Sequence, residues 1–219
     1  MTAPALAPRK TPRTLSQVIA RAGGVPPERI LNDPQPGTAT EADVVELHDR
    51  ESRLAELVDG VLVEKTAGAF ESLIASAVIQ ILGAFVHEQD TGVVLAPDGM
   101  MRLAPGLVRI PDVAFISWER LACGEFPRVP IPNLVPDLVV EVLSPGNTQT
   151  EMGGKLADYS HAGVRLVWLI YPDTRSARAC TSATAFQQIP PDGGLSGGDV
   201  LPGFSLSLRD LFARTARAR

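Results

Sequence analysis

Lysine is almost missing from this chain: Lys10, Lys65 and Lys155 stand beside 17 arginines. A lysine that survives such a bias can do what arginine cannot, namely lose its proton, although Lys10 and Lys65 survive as well as Lys155. Cysteine is equally sparse. Cys123 and Cys180 form no CxxC pair and have no metal-ligand spacing, which excludes a disulfide scaffold and a thiolate zinc site and suits idle thiols in a reducing cytoplasm. The three histidines, His48, His87 and His161, also lack metal-ligand spacing and read as surface residues. Positive charge is in deficit. A net charge of −5 argues against a tight non-specific DNA binder, while leaving room for a local basic lining. No apolar run approaches the ~20 residues that span a bilayer. The opening MTAPALAPRKTPRT lacks the charged-then-apolar order of a signal peptide, so a cytoplasmic protein without a membrane partner is expected. GxSxG, P-loop, GxGxxG and HExxH motifs are all missing, which removes the common hydrolase and nucleotide-binding chemistries.

What is present suits one globular domain over residues 41–219, preceded by an N-terminal arm. Residues 1–40 are rich in Pro, Ala, Gly and Thr, and only residues 15–22 offer a helix. Plain terminal disorder is the alternative to an extended arm. Asp59-Gly60 between short apolar runs signals a tight hairpin over 56–64. Residues 69–87 predict a buried helix, and 92–96 and 100–103 two short strands joined by a Pro-Asp-Gly turn. Pro111 divides the apolar run 107–117 or places it at an edge. After a Pro-rich connection over 118–136, residues 138–143 predict the most buried strand. A helix over about 151–162 follows, capped by Thr148 or Thr150 and closed by Gly163. The strand 164–171 completes a right-handed parallel crossover. An outer strand pair within 176–188, a short strand at 204–208 and a helix over 209–217 end the chain.

Three ionisable residues sit where a buried core does not favour them. Side chains two apart in a strand share a face, so Val139, Glu141 and Leu143 point one way and Val140 and Val142 the other. A glutamate there costs several kcal/mol unless it is paired, metal-bound or open to a cleft. An ion pair with an arginine such as Arg109 or Arg165, a strand end reaching solvent, and a divalent-metal ligand all satisfy it. The last gains from company. Asp112 opens the neighbouring apolar run, and Lys155 follows on the helix, where Glu151, Lys155 and Tyr159 share a face at i, i+4 spacing. Two acids with a nearby lysine are what a Mg²⁺-dependent phosphodiesterase needs: oxygen ligands for a hard cation and a positive charge beside the phosphate. A surface Glu151–Lys155 ion pair is the bland alternative for the lysine. Glu71, in the first turn of the long helix, suits the helix dipole as well as a catalytic role. Asp137 reads as a turn residue, and Asp158 as solvated.

PDVAFIS, then PDLVVEVLSPGNT, then EMGGKLADYSHAGVRLVWLIYP resembles the Uma-type restriction endonucleases, a branch of the PD-(D/E)XK nuclease superfamily. The resemblance runs from about Glu56 to Phe212 and is most specific in the central block. It implies an α/β (α+β) fold, a restriction-endonuclease-like mixed central sheet flanked by helices, with an N-terminal hairpin. It further implies Mg²⁺ or Mn²⁺ held by Asp112 and Glu141, DNA as substrate, and a homodimer. Where the superfamily places its lysine two residues after the acid, this chain has Leu143. The resemblance therefore implies Lys155 as the replacement, and Glu71 as a further acid that orients or shares the metal, with Glu64 as its substitute. The expected activity is metal-dependent DNA phosphodiester hydrolysis; the alternative is a catalytically weak module that binds nucleic acid or a partner on the same fold.

Overall fold

The computed structural model describes residues 12, 14–66 and 68–215; Lys10 and the predicted end of the last helix at Arg217 lie outside them. The chain opens with helix α1 (Leu15–Arg21) and helix α2 (Glu41–Glu51), then the hairpin β1 (Ala55–Val58) and β2 (Val61–Glu64). Helix α3 (Ala69–Gln89) leads to β3 (Gly92–Leu95), β4 (Met101–Ala104), β5 (Leu107–Arg109) and β6 (Val113–Ser117). Strand β7 (Leu138–Val142), helix α4 (Gln149–Ala162) and strand β8 (Leu166–Tyr171) form the crossover. Strands β9 (Ser176–Cys180), β10 (Phe186–Ile189), β11 (Gly194–Ser196) and β12 (Ser205–Ser207) and helix α5 (Leu208–Ala213) follow.

A six-stranded sheet in the order β10-β9-β8-β7-β6-β3 forms the centre, with β7 and β8 its parallel pair and the other neighbours antiparallel. Strand alternation sorts its two faces. Leu138, Val140 and Val142 of β7, with Phe115 and Trp168, pack under Ile74, Val78 and Leu82 of α3. Val139, with Ala114 and Leu169, packs under Met152 and Tyr159 of α4. Glu141 is in phase with Val139 and therefore lies beneath α4. Beside this sheet stands a second, β2-β1-β5-β4, entirely antiparallel. Asp59 and Gly60 turn the hairpin with positive φ at both positions, the geometry expected of an Asp-Gly pair. At Gly60 a Cβ would also stand 2.7 Å from the Gly37 backbone.

The mixed sheet, flanking helices and N-terminal hairpin match the expected architecture, with four differences. Strands β3 and β4, joined by the expected turn at Pro97-Asp98, belong to different sheets; β5 and β6 do too, which is the division at Pro111 that the sequence offers. Helix α2 was not predicted from the sequence, although Thr40 and Asp43 form a capping box at its start. The lead-in is docked: Val18, Ala22, Val25 and Ile30 are buried against Val58, Val61 and Val63 of the hairpin. Finally, α3 is long and apolar enough by length and composition to cross a bilayer, contrary to the expectation; here its Ile74–Val86 side is packed on the sheet.

Candidate active site

Glu141 lies 6% exposed under α4, so the helix face above it decides its state. Lys155 and Tyr159, one turn apart, both reach it: the Lys155 ammonium at 3.2 Å and the Tyr159 hydroxyl at 2.5 Å, each donating to Oε1. Lys155 lies equally close, 3.2 Å, to Oε1 of Glu56 on β1. The Glu56 carboxylate also accepts from the Arg109 guanidinium at 2.7 Å and the Ile110 amide at 3.1 Å, and Arg109 continues to Asp158. Burial pushes the Glu141 carboxyl above its usual range; the Lys155 charge opposes that shift and Asp112 adds to it. Burial alone would raise Glu56 too, but Lys155, Arg109 and Lys65 overcome it and hold Glu56 well below the ordinary value. For Lys155, burial favours the neutral amine, yet Glu141 and Glu56 outweigh it and keep the pKa above that of a free lysine. Lys155 is a fixed ammonium, not a latent base.

Asp112 is placed by the end of a ladder. Pairing of β6 with β7 runs only to Val113 opposite Val140, which leaves the Val142 amide without a strand partner on that side. The Asp112 side chain takes that place, accepting from Val142 N–H at 2.7 Å. Its other oxygen accepts from Lys65 at 2.9 Å, and Lys65 also donates to the Ile110 carbonyl at 2.5 Å. Lys65 follows directly on β2, so the hairpin delivers it.

The docked lead-in delivers a third cation. Arg29 donates to Glu151 at 2.6 Å and to the Glu64 carbonyl at 3.0 Å. Glu151, only 1% exposed, has no other charged partner among the described residues. Gly154 lets the segment approach α4, since a Cβ there would stand 3.0 Å from the Gly23 carbonyl oxygen. One cavity of about 290 Å³ gathers these groups: Arg29, Lys65, Glu71, Asp112, Glu141 and Lys155 all line it, together with Asp98, Ser144 and Asn147.

The family model for Uma2, described as putative restriction endonuclease, matches residues 42–209, well over half of the chain. The chain belongs to the Uma2 family. No curated protein matches. Among solved structures, the fold is similar to that of a putative nuclease belonging to DUF820 from Anabaena variabilis. That match has a TM-score of 0.65 at 21% identity and covers 74% of this chain and 92% of the other. The Uma2 match begins at residue 42, so Arg29 lies outside it.

The four site residues expected from the sequence therefore line one cavity in this Uma2 chain. Their partners differ from those expected. Glu141 pairs with neither Arg109 nor Arg165: Arg109 serves Glu56 and Asp158, while Arg165 serves Asp137. Lys155 is not on a surface pair with Glu151, which turns to Arg29. Asp137 is no simple turn residue; it is buried, accepts from the Ser117 amide and pairs with Arg120. Glu64 pairs with Arg53 and does not line the cavity. Sequence reasoning passed over Lys65, Glu56 and Arg29. The lysine bias held the missed signal, since both described lysines, Lys65 and Lys155, line the site.

Among the described residues, no three His, Cys, Asp or Glu side chains come close enough together to hold a metal ion. Glu71 lines the cavity without joining Asp112 and Glu141 as a third ligand. The donor set still fits a hard cation held by two carboxylates with water and phosphate oxygens. Glu141 Oε2 has no partner among the described residues, and each Asp112 oxygen, with one hydrogen bond, retains a free lone pair.

Proposed function

We propose that this chain is a metal-dependent endonuclease that hydrolyses DNA phosphodiester bonds, working in the cytoplasm as a homodimer so that two sites can cut two strands. One observation carries the reading: Asp112 just before β6, Glu141 on β7 and Lys155 on α4 line one cavity together with Lys65 and Arg29. Asp112 and Glu141 would hold Mg²⁺ or Mn²⁺, which when bound polarises a phosphoryl oxygen and acidifies a water. Lys155 balances Glu141 and contributes fixed positive potential where the transition state gains negative charge. Lys65 orients Asp112 and adds to the same field. Arg29 presents a guanidinium suited to phosphate oxygens. Glu71 has no ionic or hydrogen-bonded partner among the described residues, which leaves its carboxylate available to accept a proton from the attacking water.

A specific observation favours a second reading, a binding module on the nuclease fold. Each carboxylate of the pair already holds an ammonium, Lys65 on Asp112 and Lys155 on Glu141, and Leu143 stands where the superfamily pattern has its lysine. Plasmid nicking in Mg²⁺ or Mn²⁺ separates the two. Under the nuclease reading, wild type nicks while Asp112→Asn and Glu141→Gln, checked for folding by circular dichroism, lose at least ~10²-fold. Equal nicking by all three overturns it. A rise in melting temperature with Mn²⁺ that vanishes in Glu141→Gln tests the ligand role apart from catalysis.

A further inference from the structure

A second cavity, of about 540 Å³, opens beside the first and shares Ser144 and Asn147 with it. It lies where the parallel strands β7 and β8 end, at Val142 and Tyr171, and α4 begins. A crevice at the carboxyl ends of parallel strands is a common ligand position in α/β sheets. Its floor is apolar, formed by Met152, Leu156 and Leu169. Its outer wall is aromatic and cationic. Phe186, 55% exposed on the edge strand β10, faces Arg178, whose guanidinium lies 4.7 Å from the Phe186 ring centre and 5.5 Å from that of Tyr171. Arg178 is held by one side-chain hydrogen bond, from Nε to the Gln188 side-chain oxygen at 3.0 Å. Its terminal nitrogens donate to no group among the described residues.

We infer that this trough receives one unpaired base of the nucleic-acid strand, next to the phosphate held in the first cavity, stacked against the Tyr171–Arg178–Phe186 wall. The inference rests on the nuclease reading of the first cavity and adds a subsite to it. Three observations commit the occupant. Ser144 and Asn147 line both cavities, so a strand crossing the turn from Ser144 to Thr148 passes from one into the other. Unpaired bases are bound by stacking on aromatic rings and guanidinium planes, and both are present here in contact. The partly exposed Arg178 supplies a local positive charge over the rings, on a protein whose net charge of −5 provides no general attraction. The base must be unpaired because its face can meet the wall only after it has left the stack of a duplex. The substrate class is therefore DNA with a single-stranded or frayed nucleotide beside the cut.

The test uses the full chain and a DNA duplex with a short single-stranded overhang carrying 2-aminopurine, whose fluorescence falls on stacking. Binding is read in a Glu141→Gln background, and cutting with wild-type Glu141. Expected is quenching on binding, lost in Phe186→Ser and in Arg178→Gln, with affinity for the overhang substrate falling about tenfold and binding of the blunt duplex unchanged. Both positions are at least partly exposed, and melting temperature controls for folding. Cutting with normal KM and no quenching change in either variant overturns the trough and leaves the nuclease reading intact. Quenching lost in both variants, in a chain that never cuts, supports the trough and removes the nuclease. A dimer that becomes monomeric on Phe186→Ser shows that a second copy covers the wall, and overturns the inference.

Discussion

An ammonium buried between two carboxylates is a fixed charge, and Lys155 sits 3.2 Å from both Glu141 and Glu56. Replacing it with methionine leaves two buried acids short of a partner, so Lys155→Met is expected to cost about 3–5 kcal/mol in urea unfolding. Lys65→Met is a different test, because the amide of Val142 still holds Asp112 in place. It should keep most of the stability and lose about 10–100-fold in nicking rate, the usual cost of losing a group that orients a ligand. Burial raises the Glu141 carboxyl, so it stays protonated at pH values where an ordinary glutamate is already ionised. A protonated Glu141 is a poor metal ligand. Protons and metal therefore compete for Glu141, and the acid limb of log(kcat/KM) against pH should move to lower pH as the Mn²⁺ concentration is raised. A limb that does not move with metal concentration removes Glu141 as a ligand. Lys155, held above its usual pKa, adds no alkaline limb near neutrality.

At the scale of elements, the lead-in is the part whose behaviour is least expected of a proline-rich terminus. It is fixed by an apolar seam on the hairpin, by the close approach of Gly23 to Gly154, and by Arg29 on Glu151. Arg29→Met strands the buried Glu151 carboxylate and should destabilise by about 3–5 kcal/mol. Adding Glu151→Met removes the stranded charge, so the double variant should recover most of that loss. If Arg29 acts only through structure, the double variant also recovers KM for DNA. If it touches phosphate, KM stays raised while the melting temperature returns. Urea melts and steady-state kinetics on the four members of the cycle decide between the two. Asp137 shows the same logic away from the site. Burial alone would raise it, but the Ser117 amide and Arg120 overcome that and lower its pKa. Its stabilising contribution is therefore present above ~3.9 and is lost as pH falls through the lowered folded value.

For the whole molecule, attraction to nucleic acid has to be local. The chain carries −5 overall, and the first cavity brings together three cations, Arg29, Lys65 and Lys155, beside its acids. Releasing counterions from about three phosphate contacts per site gives a slope of log Kobs against log[salt] of about −3 for one site, and about twice that when both sites of the proposed dimer engage one duplex. Fluorescence anisotropy of a labelled duplex across a salt series measures it, and a much steeper slope would mean phosphate contacts well beyond this cavity. The two cavities meet where the central sheet changes from antiparallel to parallel pairing, so the shape of the sheet, more than net charge, concentrates the chemistry at the end of β7.

Periodicity and turn chemistry alone determined much of this protein: the Asp59-Gly60 hairpin, the long apolar helix, the strand–helix–strand crossover with its Thr148 cap and Gly163 stop, and the phase that sets Glu141 against Val140. Those features depend on neighbours within a few residues, which a linear chain displays. Only the tertiary structure decided the partners. Lys65, Glu56 and Arg29 join the site from the hairpin and the lead-in, and Arg109 turns away from Glu141, because charges buried in low dielectric are matched by whatever packing brings within about 3 Å. Packing of that kind joins residues up to 122 positions apart, as Arg29 and Glu151 are, and no local pattern records it.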